Sequence, residues 1–366
     1  MNLRIKSIVV TALCGLWIFG LALWGLIEPD REISLSERRK LAQMPKISAE
    51  SLLDGSFMSG FEKYSADRFP LRDSFRRLKA VSEYFVFNQL DSNNIYLHNG
   101  YASQLEYPLK ESSVENAAKR FSYLYETYLK DSGGKVYLSV IPDKNYFLAE
   151  DGGYPHIDFG EMISSLREKT DFAEYIDIIP TLDISDYYRT DTHWRQEKLE
   201  DTAKALADGL GVELSLEYEQ KKLDKPFYGV YYGQSALPLA GEDMYYLDSE
   251  LFDSVKVYNL EAQDYTPVYD LERAEGYDPY EIYLSGPRSV MIIENPNSDN
   301  NRELVIFRDS FGSSIAPLLI EAYSKITLVD IRYLASPMLK NFVDFENADA
   351  LFLYSTLVLN NSETFK

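Results

Sequence analysis

The first apolar segment of the chain is long and carries no charge. Residues 7–27 read SIVVTALCGLWIFGLALWGLI, and as a helix rising about 1.5 Å per residue they span a hydrocarbon core of roughly 30 Å. Arg4 and Lys6 precede this segment, and Glu28 follows it. Because basic residues favour the cytoplasmic side, the pattern predicts a transmembrane signal anchor, with residues 1–6 as a cytoplasmic tail.

A cleaved signal peptide is the alternative interpretation of the same segment. The apolar region of a signal peptide normally has about 7–15 residues and ends at a small-x-small site. Gly20-Leu21-Ala22 is such a site, but the apolar run continues beyond it. We therefore predict a single-pass protein of the cell membrane whose C-terminal domain lies outside the cytoplasm, and cleavage of the anchor stays open.

Residues 28–95 have the pattern of a polar, helical juxtamembrane stalk. Pro45 and Pro70 interrupt it, and proline ends or kinks a helix. Apolar side chains recur near helical spacing on both sides of the second proline. They are Phe61, Tyr64, Phe69, Phe75, Leu78, Val81 and Tyr84.

Strands and helices alternate through most of residues 96–366. The segment NIYLHNGYASQLEY, residues 94–107, predicts a hairpin with Asn99-Gly100 at its turn. Helices are predicted at 113–129, within 164–179 ahead of a strand, at 194–210 and at 311–323, and strands at 135–143, 289–294, 304–307, 326–331 and 348–355. This alternation is typical of an α/β domain with a mostly parallel sheet covered on both faces.

One stretch of this domain, residues 212–286, loses the helical period. It contains 12 of the 29 tyrosines of the chain, with many acidic residues and several prolines and glycines. We interpret it as an irregular, partly β excursion at the rim of the domain.

The charge of the chain limits the partners it can have. The net charge is −21, and since residues 1–27 contain two basic and no acidic side chains, the rest carries −23. Such a surface repels phosphate backbones, so we predict no nucleic-acid partner. Cys14, within the apolar segment, is the one cysteine. The domain outside the membrane therefore has no disulfide, thiolate metal site or cysteine nucleophile.

A first candidate for chemistry is the stretch from Arg308 to Gly312, RDSFG, between a predicted strand and a predicted helix. A tight turn at this place lifts the Ser310 hydroxyl above the C-terminal edge of the sheet, where open α/β folds bind their ligands. The N–H groups at the start of the following helix are candidates to stabilise a developing oxyanion.

A second candidate supplies the base that a serine needs. His193 follows Asp191 by two residues, and in extended chain such side chains point to the same side. Asp191 then accepts from one imidazole nitrogen and leaves the other facing Ser310. The other two histidines, His98 and His156, have no carboxylate at this spacing.

Two other interpretations of these residues stay open. Asp191 and Asp309 are also suitable as caps of the helices that follow them. Alternatively, Asp191, His193 and Asp309 are candidate oxygen and nitrogen ligands for Zn²⁺ or Mn²⁺. We predict no metal and no cofactor, because the chain lacks an H-x-x-x-H spacing and a cysteine ligand.

The motif D-T-H-W at 191–194, with D-S-F at 309–311, resembles the SGNH-type domains of the DHHW family. It is also similar to the alginate O-acetyltransferase group of AlgX and AlgJ. Other similar segments are SLSERRKLAQMP (34–45), DGSFMSGFEKYSADRFPLRD (54–73), IPDK (141–144), FYGVYYGQSA (227–236) and VDIRYL (329–334). The resemblance covers roughly residues 30–366.

The resemblance implies a three-layer α/β/α, SGNH-hydrolase-like (flavodoxin-like) fold with permuted motif order. It implies that Asp191 orients, that His193 is the base and that Ser310 is the nucleophile. The implied reaction transfers an acetyl group onto or off a hydroxyl of a cell-surface or secreted polysaccharide, through an acetyl-Ser310 intermediate. In such systems a multi-pass membrane-bound O-acyltransferase usually supplies the acetyl group.

The chain departs from the family pattern in two ways. Thr192 stands where the family name has a second His, and the Gly and Asn blocks that form the oxyanion hole of SGNH hydrolases are not evident. Candidates for substrate or oxyanion contacts are Trp194, Asp309, Arg332, Tyr354 and Asn360, with Asn361 as an alternative to the last. A non-catalytic glycan-binding or scaffold protein of the cell envelope is the alternative function.

Overall fold

The structure, a computed structural model, describes residues 3–29, 31–34 and 36–366. Contacts between Cα atoms divide it into two compact units. The first unit comprises the chain up to Asn93 together with Tyr232–Leu239, and the second unit comprises Asn94–Tyr231 and Ala240–Lys366.

The first unit begins with a long apolar helix, α1, at Leu3–Ile27. Its stretch Arg4–Gly25 has a mean hydropathy of 2.1, and none of that stretch is buried. The helix is therefore long and apolar enough to cross a membrane, although an N-terminal signal sequence meets the same criterion.

The rest of the first unit is mainly helical. Its elements are strands β1 (Ile33–Ser34) and β2 (Arg39–Lys40), helices α2 (Ala49–Leu53), α3 (Ser56–Asp67) and α4 (Arg72–Val81), and a π-helical turn at Ser82–Val86. The two short strands pair antiparallel. The helix expected after Pro70 is α4.

The second unit carries the alternating elements. Its strands are β3 (Ile95–His98), β4 (Tyr101–Gln104), β5 (Val136–Ile141), β6 (Glu174–Tyr175), β7 (Glu219–Lys222), β8 (Tyr245–Asp248), β9 (Lys256–Asn259), β10 (Asp264–Thr266), β11 (Val290–Glu294), β12 (Glu303–Arg308), β13 (Lys325–Val329) and β14 (Asp349–Ser355). Its helices are α5 (Glu111–Leu124), continued by a π-helical turn at Tyr125–Leu129, α6 (Asn145–Gly152), α7 (Phe159–Lys169), α8 (Glu200–Leu210), α9 (Val230–Ser235), whose last four residues belong to the first unit, α10 (Gly312–Ile315) and α11 (Thr356–Leu359). Short 3₁₀ helices lie at Ile179–Thr181, Ile184–Asp186, Gln196–Lys198, Glu250–Asp253, Leu271–Glu275, Pro279–Ile282, Ala316–Ala322, Ser336–Asn341 and Ser362–Thr364.

The central sheet has eight strands in the order β10-β9-β11-β13-β12-β14-β5-β6. The five strands from β13 to β6 run parallel, whereas β10, β9, β11 and β13 pair antiparallel. Strand β12 lies in the middle, so that Phe307 pairs with Val329 on one side and with Phe352 on the other. Continuous apolar runs such as ELVIFR and DALFLYS suit strands buried on both faces.

Each face of the sheet has its own hydrophobic core. Along β14, Leu351 and Leu353 face one cluster, while Phe352 and Tyr354 face the other. Successive side chains of a strand point to opposite faces, which explains this division. Helices α5 and α7 cover the second cluster and α8 covers the first. The predicted three-layer α/β/α class is therefore confirmed.

Two predicted helices differ from the observed ones. The helix expected from Trp194 begins as an α-helix at Glu200, because Trp194 forms an extended β-bridge with Tyr187. The helix expected over 311–323 is the single α-turn α10, followed by a 3₁₀ helix. Pro317 lies in that continuation, and proline has no N–H to donate to an α-helical partner.

The tyrosine-rich excursion at residues 212–286 is irregular and contains the short strands β7, β8, β9 and β10. Its strands β9 and β10 extend the central sheet. Tyr231, Tyr280 and Tyr283 are among its buried side chains. Strands β10 and β9 are the two outermost strands at one edge of the sheet, while buried tyrosines of the excursion such as Tyr280 and Tyr283 reach the hydrophobic core.

Candidate active site

The turn after β12 holds Ser310 at the C-terminal edge of the parallel strands. The Asp309 side chain fixes this turn, because its Oδ1 accepts from the Phe311 N–H at 3.0 Å and its Oδ2 accepts from the Ser355 N–H at 2.8 Å. Asp309 is fully buried, and Ser310 is half-buried. Since Ser355 ends the neighbouring strand β14, one carboxylate ties the turn to two strands.

Ser310, His193 and Asp191 form a continuous hydrogen-bonded chain. The Ser310 Oγ lies 2.7 Å from His193 Nε2, and His193 Nδ1 lies 2.6 Å from Asp191 Oδ1. A carboxylate can only accept, so Nδ1 carries the proton and donates to Asp191. In the neutral ring Nε2 is then the acceptor for the Ser310 hydroxyl, which is the arrangement that general-base activation of a serine requires.

The Asp191 carboxylate is held from a second side. Its Oδ2 accepts from the Val230 N–H at 2.7 Å, and its side chain is fully buried. The Gly229 N–H donates to Thr190 Oγ1 at 2.9 Å. A Cβ at Gly229 would lie 2.3 Å from the Thr190 carbonyl group, so only glycine permits this close approach. The carboxylate orientation is thus determined by backbone from a distant segment.

A buried lysine supports the same loop. The Nζ of Lys144 donates to the carbonyls of Ala102, Tyr188 at 3.0 Å and Arg189 at 3.4 Å, and it lies 4.9 Å from the centre of the Tyr231 ring. Burial lowers the pKa of Lys144 to about 7. Lys144 therefore links the carbonyl of Ala102 to the carbonyls of Tyr188 and Arg189, the two residues that precede the loop containing Asp191.

An aromatic ring fixes the plane of the histidine. The ring of Tyr280 stacks on that of His193 with centroids 3.9 Å apart and planes 8° apart. The Tyr280 hydroxyl lies 2.7 Å from Ser314 Oγ, which also accepts from Trp194 Nε1 at 2.8 Å. Trp194 is fully buried, and its indole N–H also donates to the Phe311 carbonyl at 3.2 Å. Trp194 therefore anchors the network under the site.

A cavity of about 200 Å³ opens at the serine. It is lined by His193, Asp278, Tyr280, Glu281, Gly286, Pro287, Ser310, Ser313, Arg332 and Tyr333. A larger cavity of about 550 Å³ lies in the first unit and contains none of the predicted site residues. The smaller cavity is the candidate site, because Ser310 and His193 both line it.

Arg332 is the remaining predicted contact residue that lines this cavity. Its Nε and Nη2 donate to Asp330 at 2.9 and 2.6 Å. Burial opposes the charge, but the Asp330 carboxylate outweighs it and raises the pKa of Arg332. The guanidinium is thus a fixed positive charge at the wall of the cavity.

Two predicted contact residues lie elsewhere. Tyr354 is fully buried in the core cluster and its ring stacks on Phe121, because its position in β14 faces the α5 layer. The Asn360 amide donates to Glu106 Oε1 and to the Pro108 carbonyl. Neither residue lines the cavity, and we withdraw both as contact candidates.

Asn361 is engaged in the same way. Its amide donates to Glu106 Oε1 at 2.9 Å and to the Leu357 carbonyl at 2.8 Å.

The N–H groups at the start of α10, which were the expected oxyanion donors, already have hydrogen-bond partners. The Gly312 N–H donates to the Asp309 carbonyl at 3.1 Å, and the Ser313 N–H donates to the Ser310 carbonyl at 3.2 Å.

The alternative of a metal centre finds no cluster of ligands. Among residues 3–29, 31–34 and 36–366, no group of three or more His, Cys, Asp or Glu side chains is placed to hold a metal ion. The two Asp309 oxygens accept from the N–H groups of Phe311 and Ser355.

No protein-family model matches the chain, and no curated protein matches it. The crystal structure of a DHHW family protein from Eubacterium siraeum DSM 15702 superposes with a TM-score of 0.61 at 21% identity, over 75% of this chain and 95% of that chain. This chain has the fold of that DHHW family protein. Bacillus cereus PatB1 has a TM-score of 0.58 at 17% identity, over 72% of this chain and 96% of that chain. The O-acetyltransferase domain of Pseudomonas putida AlgJ has a TM-score of 0.45 at 12% identity, over 73% of this chain and 92% of that chain.

Within this DHHW-type fold, sequence reasoning missed three contributors to the site. Tyr280 and the Val230 N–H belong to the excursion interpreted as peripheral. Lys144 lies in the IPDK segment, which carried the resemblance but no predicted role. No local pattern marks these residues, because each meets the Asp191 loop only through tertiary contacts.

Proposed function

We propose that this protein is a membrane-anchored, extracytoplasmic O-acetyltransferase or acetylesterase that acts on a cell-surface or secreted polysaccharide. The observation that carries the proposal is the Ser310–His193–Asp191 chain, with distances of 2.7 and 2.6 Å at the mouth of a cavity. The resemblance to the DHHW and alginate O-acetyltransferase group supports the acetyl group and the polysaccharide. Arg4 and Lys6 ahead of the apolar segment at residues 7–27 support this orientation, because basic residues favour the cytoplasmic side.

The proposed reaction has two steps through the serine. His193 takes the Ser310 proton while Oγ attacks the acetyl carbonyl, the donor's leaving group departs with that proton, and acetyl-Ser310 forms. In the second step His193 deprotonates a sugar hydroxyl or a water, whose oxygen attacks the carbonyl carbon of acetyl-Ser310. The bond to Ser310 Oγ then breaks, and His193 returns the proton to Oγ. Transferase and esterase differ only in which acceptor reaches the intermediate.

The proposed acetyl donor is a membrane protein. In related systems a multi-pass membrane-bound O-acyltransferase supplies the acetyl group, and an anchor at residues 7–27 would keep this chain beside such a partner. The cavity of about 200 Å³ has room for an acetyl group and part of one sugar ring, so the polymer must lie largely outside it.

Direct detection of acetyl-Ser310 tests the proposal. The full-length chain in detergent is incubated with p-nitrophenyl acetate, quenched in acid, digested and analysed by mass spectrometry. We expect one acetyl group on the peptide that contains Ser310 in the wild type and none in the unfolded chain treated in parallel. Absence of the adduct, or equal labelling of the unfolded chain, would contradict the acyl-enzyme. A PatB1 structure carries a sulfonyl adduct, so a sulfonyl fluoride provides a second probe.

The stacked ring of Tyr280 gives a prediction on positioning. We expect Tyr280→Leu to lower kcat for p-nitrophenyl acetate about 10- to 100-fold, because the imidazole loses the surface that holds its plane. Tyr280→Phe keeps the ring and should stay within a few-fold of the wild type. Steady-state kinetics of both variants, with melting curves to verify folding, measure the effect. Equal losses in both variants would attribute the role to the hydroxyl instead.

A serine that is buried or remote from the histidine would favour the alternative function, a non-catalytic glycan-binding or scaffold protein. Ser310 is instead half-buried and 2.7 Å from His193 Nε2. The geometry therefore favours the catalytic proposal.

A further inference from the structure

The first unit exposes large apolar side chains outside its membrane helix. Leu53, Leu71, Leu78, Val86 and Phe87 are each more than half exposed on or beside helices α2–α4. Single exposed apolar residues are normal on a soluble surface, but an accumulation of large ones indicates an interaction with a protein or a membrane.

The turn between α3 and α4 packs against the last turn of α1. The Arg68 Nε donates to the Gly25 carbonyl at 3.0 Å, and its Nη2 donates to the Glu28 carbonyl. A Cβ placed at Gly25 would lie 3.4 Å from the Pro70 ring. The last carbonyls of a helix have no partner within the helix, so the arginine caps α1 and joins the turn to it. Phe69–Leu71 therefore lie level with the end of the apolar helix.

The surroundings of this turn have the chemistry of a membrane interface. The cavity of about 550 Å³ beside the turn is lined by the apolar residues Trp24, Phe69 and Leu71. Three arginines, Arg31, Arg68 and Arg72, and three acidic residues, Glu28, Asp67 and Asp73, also line it, so its charges balance. Tryptophan and arginine at the end of a membrane helix are typical of the lipid headgroup region. Leu71, the residue before α4, has a φ of 56°, in the left-handed region that a leucine rarely adopts, and its side chain is more than half exposed.

The charge of this part of the chain allows close approach to lipid. Residues 28–93 contain eleven acidic and eleven basic side chains and are neutral, although the whole chain carries −21. All of the excess negative charge therefore belongs to residues 94–366. An anionic bilayer surface repels that part and not the neutral part.

We propose that the Phe69–Leu71 turn, with the cavity beside it, is a second membrane contact that inserts into the interfacial zone of the bilayer crossed by α1. The occupant of this surface is phospholipid, because the turn is joined directly to the end of the membrane helix. The inference rests on α1 remaining as an anchor and is independent of the proposed acetyl transfer. This contact holds the C-terminal end of α3 and the N-terminal end of α4 at the membrane surface.

Fluorescence quenching in vesicles tests this contact. Since Cys14 is the one cysteine of the chain, Cys14→Ser provides a full-length background for a single labelled cysteine. The Leu71→Cys protein carries an environment-sensitive NBD label and is reconstituted alone in phosphatidylcholine–phosphatidylglycerol vesicles. We expect blue-shifted emission, strong quenching by lipid that bears a nitroxide near its headgroup, and weak quenching by aqueous iodide.

The control label is at Glu213→Cys, an exposed position of the second unit. A label there should be quenched by iodide and little affected by the nitroxide lipid. A label at 71 that behaves like the label at 213 would overturn the proposal and would favour a protein partner for the apolar surface. Phe69→Cys provides a second position in the same turn, so that misfolding of one variant does not decide the result.

Discussion

Ser310→Ala will reduce acetyl-ester turnover to the background level, a loss on the order of 10³- to 10⁶-fold, because removing a triad nucleophile removes the covalent route. The Ser310 Oγ is the one hydroxyl oxygen within hydrogen-bond distance of His193 Nε2 among the described residues. The measurement is p-nitrophenyl acetate hydrolysis by the full-length protein in detergent, wild type beside variant.

Ser164→Ala is the matched control for this experiment. Ser164 is exposed on α7 and does not line the cavity at the serine. We expect its activity and melting temperature to equal those of the wild type. Residual turnover of Ser310→Ala at the wild-type rate would refute the triad, and the glycan-binding alternative would then become the next experiment, by direct binding of polysaccharide to the tyrosine-rich segment.

Asp191→Asn will lower kcat by about 10⁴-fold while leaving the fold intact, the size of loss seen when a triad carboxylate becomes an amide. The Asp191 Oδ1 accepts from His193 Nδ1 at 2.6 Å and its Oδ2 accepts from the Val230 N–H. An asparagine can present its oxygen to only one of these donors. When the amide donates to Nδ1 instead, the proton of the ring moves to Nε2, which can no longer accept the Ser310 proton.

Asp158→Asn controls for the general effect of removing a carboxylate. Asp158 caps α7 by accepting from the Glu161 N–H at 2.8 Å, and asparagine caps helices about equally well. We expect no change in kcat for this variant. A similar kcat for Asp191→Asn and the wild type, with an unchanged melting temperature, would show that Asp191 does not orient the base.

The candidate triad was predicted from the sequence because each of its two motifs is short and continuous along the chain. Asp191 and His193 are two residues apart, and Ser310 directly follows a buried apolar strand at a strand-to-helix junction. Alternation of strand and helix then predicts that both loops lie at the same edge of a parallel sheet. The resemblance to the DHHW family added the expected order of the two motifs.

The failed predictions share a different origin. Tyr354 was proposed because it ends a strand, but its ring is buried against Phe121. Asn360 was proposed as a side-chain donor, but its amide donates to Glu106. The position of a residue along a strand does not determine which face its side chain occupies when the register is unknown. The start of α8 was misplaced for a similar reason, since the β-bridge between Tyr187 and Trp194 replaces the helical conformation there.

By itself, the sequence determined the membrane-length apolar helix, the α/β class and the serine–histidine–aspartate candidates, since periodicity, charge and short motifs are properties of neighbouring residues. Only the tertiary structure decided that Tyr280 stacks on His193, that the Val230 N–H holds Asp191 and that Arg68 caps α1. These contacts join segments that are far apart along the chain. They depend on how the whole core packs, and no local pattern encodes that packing.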